Sequence, residues 1–201
     1  MKVRILFLIC FLCITCLLNA ADKPVIQIHT DNSSLIFHVA DNGRLYQSYL
    51  GKKLNHETDI SHLPQGTEAY ITHGMEDYFE PAIHILHNDG NPSLLLKYVS
   101  HETKAVSQGV NETIITLGDD KYPVTVKLHY VTYPAEDIIK TYTEISHKEK
   151  KPVVLHQYAS SMLHLNRAKY YLTEFSGDWA HEANISDQPL EFGKKVLDTK
   201  L

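Results

Sequence analysis

The sequence predicts an all-β fold, a sandwich of antiparallel strands. Apolar and polar residues alternate in short runs from Val25 onward, and the clearest run is 123–132, in which Val124, Val126 and Leu128 fall on one face. Turn residues recur about every ten residues, as they do in sandwiches and barrels. We find no segment with the periodicity of an amphipathic helix.

The first predicted element pair is a β-hairpin. Asn42-Gly43 lies between two apolar runs, 34–39 and 44–50, and Asn-Gly in that setting is a strong local hairpin signal. Residues 51–69 lack periodicity and are predicted to form a long loop. The other predicted strands are 25–29, 81–87, 94–99, 112–117, 123–132, 137–146, 152–165 and 169–175, with a charged turn at 147–151.

The amino terminus has the pattern of a secretory signal peptide. Lys2 and Arg4 precede the apolar run 5–18, and small residues follow it. The run is shorter than the roughly 20 residues that cross a bilayer. We therefore expect cleavage after Ala20 and no membrane attachment of the mature chain. A retained anchor and a lipoprotein signal, with Cys16 as the lipidated residue, are the alternatives.

The cysteine content and the charge indicate a compartment. All 3 cysteines lie in the apolar run, so the mature domain would have no disulfide and no thiolate chemistry. Export without disulfides favours a bacterial periplasm or the cell exterior over a eukaryotic secretory route. The net charge of −5, with no basic patch, argues against nucleic acid and anionic membranes as partners.

The residues contain no catalytic motif that stands alone. The 13 histidines form no metal-ligand spacing, so we expect neither a metal nor a cofactor, and His84 and His87 are predicted on opposite faces of a strand. A nucleophile elbow and a phosphate-binding loop are also absent from the sequence. Glu76, Asp77 and Glu80 cluster in one loop, which cannot flank a sugar by itself. A solvated turn is the favoured interpretation.

The one tryptophan, Trp179, follows the last predicted strand. Gly177 precedes it, and its neighbours Asp178 and His181 are polar, which favours an edge or a loop over the core. A flat indole in such a place is suited to stacking on the apolar face of a sugar ring. The residues alone leave both the core and the sugar-contact interpretation open.

Three blocks of sequence, taken in order, resemble the amino-terminal domain of glycoside hydrolase family 36, whose members are mostly α-galactosidases. The first block runs from Tyr70-Ile71-Thr72-His73-Gly74 to Pro81-Ala82, the second lies within 119–137, and the third, 170–198, contains Gly177-Asp178-Trp179. The resemblance covers nearly all of the mature chain.

The resemblance implies an architecture and an activity. A β-supersandwich at 21–190 would precede a (β/α)₈ barrel that carries both catalytic aspartates of a retaining double displacement, and 191–201 would begin the linker to that barrel. No catalytic residue is then expected in this chain, which by itself is expected to be an inactive fragment. The implied substrate is an α-galactoside, and the implied full-length enzyme is a homo-oligomer. The resemblance leaves open a galactosyl transferase or an α-N-acetylgalactosaminidase.

The same resemblance implies that Trp179 contacts substrate, with Asp178, His181 and Asp77 at the edge of the pocket. Two positions depart from many relatives, which have arginine where this chain has His181 and Phe79. The alternative function is a non-catalytic module that binds carbohydrate or mediates oligomerisation.

Overall fold

The computed structural model describes residues 23–75, 80–165, 169–191 and 193–198. The predicted signal peptide at 1–20, Asp77, Phe79 and the side chain of Asp178 lie outside this description. Within these ranges, no helix has the length and apolar character needed to cross a membrane.

Twelve strands and one short helix make up the described chain. In chain order they are β1 (Val25–His29), β2 (Ser33–Val39), β3 (Leu45–Lys52), α1 (Glu57–Ser61), β4 (Thr67–Glu68), β5 (Ile83–Leu86), β6 (Leu96–Ser107), β7 (Val110–Asp119), β8 (Val124–Tyr133), β9 (Ile138–His147), β10 (Val154–Tyr158), β11 (Tyr171–Asp178) and β12 (His181–Pro189).

The strands form two four-stranded antiparallel sheets and two separate strand pairs. The sheets have the orders β1-β2-β3-β4 and β6-β7-β8-β9, and the pairs are β5 with β10 and β11 with β12. The predicted hairpin of β2 and β3 is confirmed. Gly43 in its turn has φ 78°, a backbone region that glycine enters without steric cost.

The core lies between the two four-stranded sheets. Phe37 of β2 packs against Tyr130 of β8, with ring centroids 5.2 Å apart, and burial raises the pKa of the Tyr130 phenol above its ordinary value. The alternation predicted for β8 is confirmed, and the face that carries Val124, Val126, Leu128 and Tyr130 is buried. The chain is therefore an all-β sandwich, as predicted.

The long loop predicted at 51–69 is wrong in part. β3 continues to Lys52, α1 forms a five-residue helix at Glu57–Ser61, and β4 adds Thr67–Glu68 to the first sheet. α1 has no buried residue, so it lacks the apolar stripe by which a sequence indicates an amphipathic helix.

Several predicted strand boundaries are also wrong. β6 extends to Ser107 rather than ending at residue 99, and it is exposed from Val99 onward. β10 is shorter than the predicted run 152–165. β12 is not predicted at all, because its only large aliphatic residue is Ile185. Neither β12 nor the exposed end of β6 alternates apolar with polar residues, so period-two patterning does not indicate them.

A buried contact between a histidine and a glutamate joins the turn after β5 to the turn after β9. His87 Nδ1 lies 2.6 Å from Glu149 Oε1, and the two side chains are 0% and 1% exposed. The other carboxylate oxygen accepts a hydrogen bond from the backbone N–H of Asn88 at 3.0 Å. His87 Nε2 lies 3.1 Å from the carbonyl oxygen of Ser93. Both ring nitrogens of His87 thus lie within hydrogen-bond distance of oxygen atoms. The predicted charged turn thus contains a buried carboxylate.

Candidate functional site

Trp179 lies at the tip of a hairpin that projects from the sandwich. β11 and β12 pair in antiparallel register from Tyr171–Pro189 to the last pair, Asp178–His181. Trp179 and Ala180 form the two-residue turn between them. The close contacts of these two strands are chiefly with each other, so the hairpin extends away from both sheets.

The structure places two of the predicted site residues together. Trp179 is 91% exposed, so the core interpretation is wrong and the edge or loop position is confirmed. His181 begins β12 and is also exposed. Asp178 pairs with His181 through the backbone, while its side chain and Asp77 lie outside the described part. The sugar-contact role of these residues stays a prediction.

Polar cross-strand contacts fix the register of this hairpin. Glu174 accepts hydrogen bonds from Gln188 at 2.8 Å and from Ser186 at 3.2 Å. Thr173 donates to Asp187 at 2.5 Å. These contacts hold the two strands together although the hairpin contributes little to the core.

The hairpin also has an exposed apolar face. Phe175 and Ile185 lie directly opposite each other, and Tyr171 lies on the same face four residues before Phe175. Their exposed fractions are 69%, 65% and 69% for Phe175, Ile185 and Tyr171. The polar Thr173–Asp187 pair lies between Tyr171 and the Phe175–Ile185 pair, and exposed apolar side chains of this kind are typical of an interaction surface.

The segment after the hairpin returns to the sandwich at Glu80. Lys194 Nζ lies 2.9 Å from Glu80 Oε1, and this hydrogen bond lowers the pKa of the Glu80 carboxyl below its ordinary value. Gln157 donates to the same oxygen at 3.3 Å. Glu80 is thus an exposed, ion-paired carboxylate, which agrees with the solvated-turn interpretation. Glu76 and Asp77 of the same cluster lie outside the described residues.

A second polar cluster crosses the outer face of the second sheet, with one residue from each of its four strands. Glu112 accepts hydrogen bonds from Tyr142 at 2.6 Å and His129 at 2.9 Å, and Lys104 Nζ lies 2.9 Å from it. These bonds, above all that from Tyr142, lower the pKa of Glu112 to about 2. The carboxylate therefore stays charged at any ordinary pH and links side chains from all four strands of the sheet.

Three histidines from separate segments have their rings in contact, His73 stacked on His84 and His156 tilted against it. The His84 ring lies 3.8 Å from the His73 ring and 4.8 Å from the His156 ring, measured between centroids. His156 lies at a bulge of β10. Nothing in the sequence indicates this cluster, because its members belong to separate segments. Across the described part of the chain, no group of three or more His, Cys, Asp or Glu side chains is arranged to hold a metal ion.

The structure defines an all-β domain of two packed sheets with a projecting hairpin that carries an exposed tryptophan. The chain belongs to the family described as the glycosyl hydrolase family 36 N-terminal domain, whose model matches residues 43–201. The resemblance inferred from the three sequence blocks is therefore confirmed.

Two relatives come from Aspergillus terreus. Probable alpha-galactosidase G is 23% identical over 184 residues, a match that covers 80% of this chain and 25% of that protein. Probable alpha-galactosidase C is 22% identical over 196 residues, covering 86% of this chain and 26% of that protein. This chain thus spans about a quarter of the length of these relatives.

Solved α-galactosidases share the fold. The GH36 alpha-galactosidase AgaA from Geobacillus stearothermophilus matches with a TM-score of 0.76 at 19% identity, covering 85% of this chain and 28% of that chain. The alpha-galactosidase from Lactobacillus brevis matches with a TM-score of 0.72 at 20% identity, covering 84% and 28%. At these identities the likeness establishes the fold alone.

Proposed function

We propose that the chain is the amino-terminal domain of an α-galactosidase that removes terminal α-galactosyl residues from oligosaccharides. Membership of the family supports this, and both fungal relatives are named probable alpha-galactosidases. In this proposal the domain supplies a scaffold, an assembly surface and one wall of the sugar pocket. The amino-terminal pattern at 1–20 supports export to the periplasm or the cell exterior.

Trp179 carries the proposed role in the pocket. The residue is 91% exposed at a hairpin tip, and it occupies the Gly-x-Trp block whose tryptophan contacts substrate in the family. The flat apolar face of an indole fits the C–H face of galactose. Asp178 and His181 flank it and would line the edge of the pocket, with Asp77 as a further edge residue.

Galactose titration of the full-length enzyme tests this contact through intrinsic fluorescence. This domain contributes one tryptophan, so the difference between the parent enzyme and Trp179→Leu isolates its signal. We expect galactose to change the Trp179 emission, and Trp179→Leu to weaken galactose binding about tenfold, or about 1.4 kcal/mol.

Two controls accompany the titration. Glucose, which differs from galactose at one carbon, should change the emission less. Phe175→Leu alters another exposed aromatic of the same hairpin, 69% exposed, and should leave galactose affinity unchanged. Unaltered binding in Trp179→Leu would remove Trp179 from the sugar pocket.

The 201-residue chain alone is predicted to lack hydrolytic activity. Both catalytic aspartates implied by the family would lie in a following barrel, where active sites are built at the carboxyl ends of the strands. Release of the aryl group from an aryl α-galactoside should not exceed the buffer rate at any pH tested. Turnover well above buffer, retained through purification, would place a catalytic site in this domain.

The exposed apolar face formed by Tyr171, Phe175 and Ile185 favours an assembly role as the second candidate function. If the domain serves only in oligomerisation, Trp179→Leu should leave the galactose affinity of the full-length enzyme unchanged. Replacing both Phe175 and Ile185 with serine should then abolish its oligomeric state. Sedimentation of these variants, read beside the galactose titration, separates the two functions.

A further inference from the structure

The tip of the β11–β12 hairpin contains a β-bulge. Between the pairs Ser176–Asn184 and Asp178–His181, β11 has one residue and β12 has two. The last residue of the longer segment, next to Asn184, is Ala183. A bulge bends its strand and increases the local twist, and bulges are frequent beside active sites, where they redirect a side chain.

Two alanines at this tip have left-handed backbone conformations. Ala180 has φ 64° and Ala183 has φ 56°, values that alanine rarely adopts because its Cβ crowds the neighbouring carbonyl oxygen. Four non-glycine residues of the described chain have positive φ, and these two lie only three positions apart. Such backbone strain persists where the surrounding structure imposes it, and it concentrates at functional sites.

Local contacts hold the bulge in place. The Asn184 side chain donates a hydrogen bond to the carbonyl oxygen of His181 at 3.1 Å, which spans the bulged residues. On the facing strand, a Cβ added to Gly177 would lie 3.5 Å from Glu182 Cα and 3.7 Å from Ala183 N. The bulged backbone therefore packs at close range over the glycine of the Gly-x-Trp block.

We infer that this bulge positions Trp179. The bulge lies between the regular part of the hairpin and its tip, so its bend and twist set the direction in which the indole leaves the hairpin. Ala183 and Asn184 are positioning residues that act through Trp179. The inference rests on the proposed function, because positioning matters only if Trp179 contacts the sugar.

Deletion of Ala183 tests the bulge directly, since it gives a regular ladder and keeps both flanking pairs in register. In the full-length enzyme, we expect KM for an aryl α-galactoside to rise about tenfold with kcat nearly unchanged, as when a uniform binding contact is misplaced. Asn184→Ala keeps the chain length and should raise KM about threefold, because the bulge loses its brace. Ala183→Gly is the conservative control. It keeps the bulge and removes the backbone strain at this residue, so its KM should stay within about twofold of the parent value.

A Trp179→Leu background separates positioning from general damage. If the deletion acts through Trp179, it adds nothing to KM in that background, because the two changes share one interaction. An equal rise of KM in both backgrounds would overturn the positioning role. A normal KM after deletion, beside a raised KM in Trp179→Leu, would overturn the positioning role and leave the proposed function intact. A normal KM in Trp179→Leu would overturn both. Thermal unfolding of each variant shows that the sandwich remains folded.

Discussion

Replacing Glu149 with alanine is expected to lower the free energy of unfolding by about 3 kcal/mol, because it leaves buried hydrogen-bonding groups unsatisfied. The carboxylate is 1% exposed and pairs with the wholly buried His87. Its removal leaves a buried ring nitrogen, and the Asn88 backbone N–H, without their acceptor. Urea unfolding at neutral pH, followed by far-ultraviolet circular dichroism, measures the loss.

The same carboxylate makes stability depend on acid. Burial raises the pKa of Glu149, but hydrogen bonds from His87 and Asn88 lower it by more, so in the folded chain it lies below its ordinary value. The folded chain therefore binds fewer protons at this group than the unfolded chain. Its contribution is complete above about pH 5 and is lost as pH falls through the folded pKa.

Two variants make this result specific. Glu149→Gln keeps the shape of the side chain and should reduce the dependence of unfolding free energy on pH between about pH 5 and pH 3. Glu136→Ala removes an exposed glutamate from the turn between β8 and β9 and should cost less than about 0.5 kcal/mol. Equal losses in Glu136→Ala and Glu149→Ala would contradict the buried pair.

Sequence patterning predicted the strands in which apolar and polar residues alternate, and these include the exposed strand β11. β8 alternates because its inward residues fill the core, and the turn at Asn42-Gly43 has a residue type that its backbone requires. β12 and the end of β6 are exposed strands held by backbone hydrogen bonds and by polar pairs such as Glu174 with Gln188. Their side chains need not alternate, so no period-two signal exists to be found.

The position of the candidate site was predictable from the sequence, but its backbone conformation was not. Polar neighbours and Gly177 correctly indicated that Trp179 lies outside the core. The bulge was not predictable, because left-handed turns are normally indicated by Gly, Asn or Asp, whereas here Ala180 and Ala183 adopt them. Glu149 likewise resembled a solvated charge, since its burial depends on His87, 62 residues away in sequence.

Replacing Phe37 with alanine is expected to destabilise the domain by about 3–5 kcal/mol. Phe37 is 0% exposed and lies between the sheets. The centroid of its ring lies 5.2 Å from that of the Tyr130 ring. The substitution removes the transfer free energy of the ring and leaves a cavity that two hydrogen-bonded sheets cannot close. Phe37→Leu, which refills most of that volume, should cost distinctly less.

Phe175→Ala is the matched control, because it makes the same change in a strand whose phenylalanine is 69% exposed. In the isolated domain it should alter the unfolding free energy by less than about 0.5 kcal/mol. A loss comparable to that of Phe37→Ala would mean that the hairpin face is buried in solution, against a second copy or against the sandwich. If that loss depends on protein concentration, the cover is a second copy, because mass action couples stability to association. A loss independent of concentration would contradict the projecting hairpin, since the face would then pack within one chain.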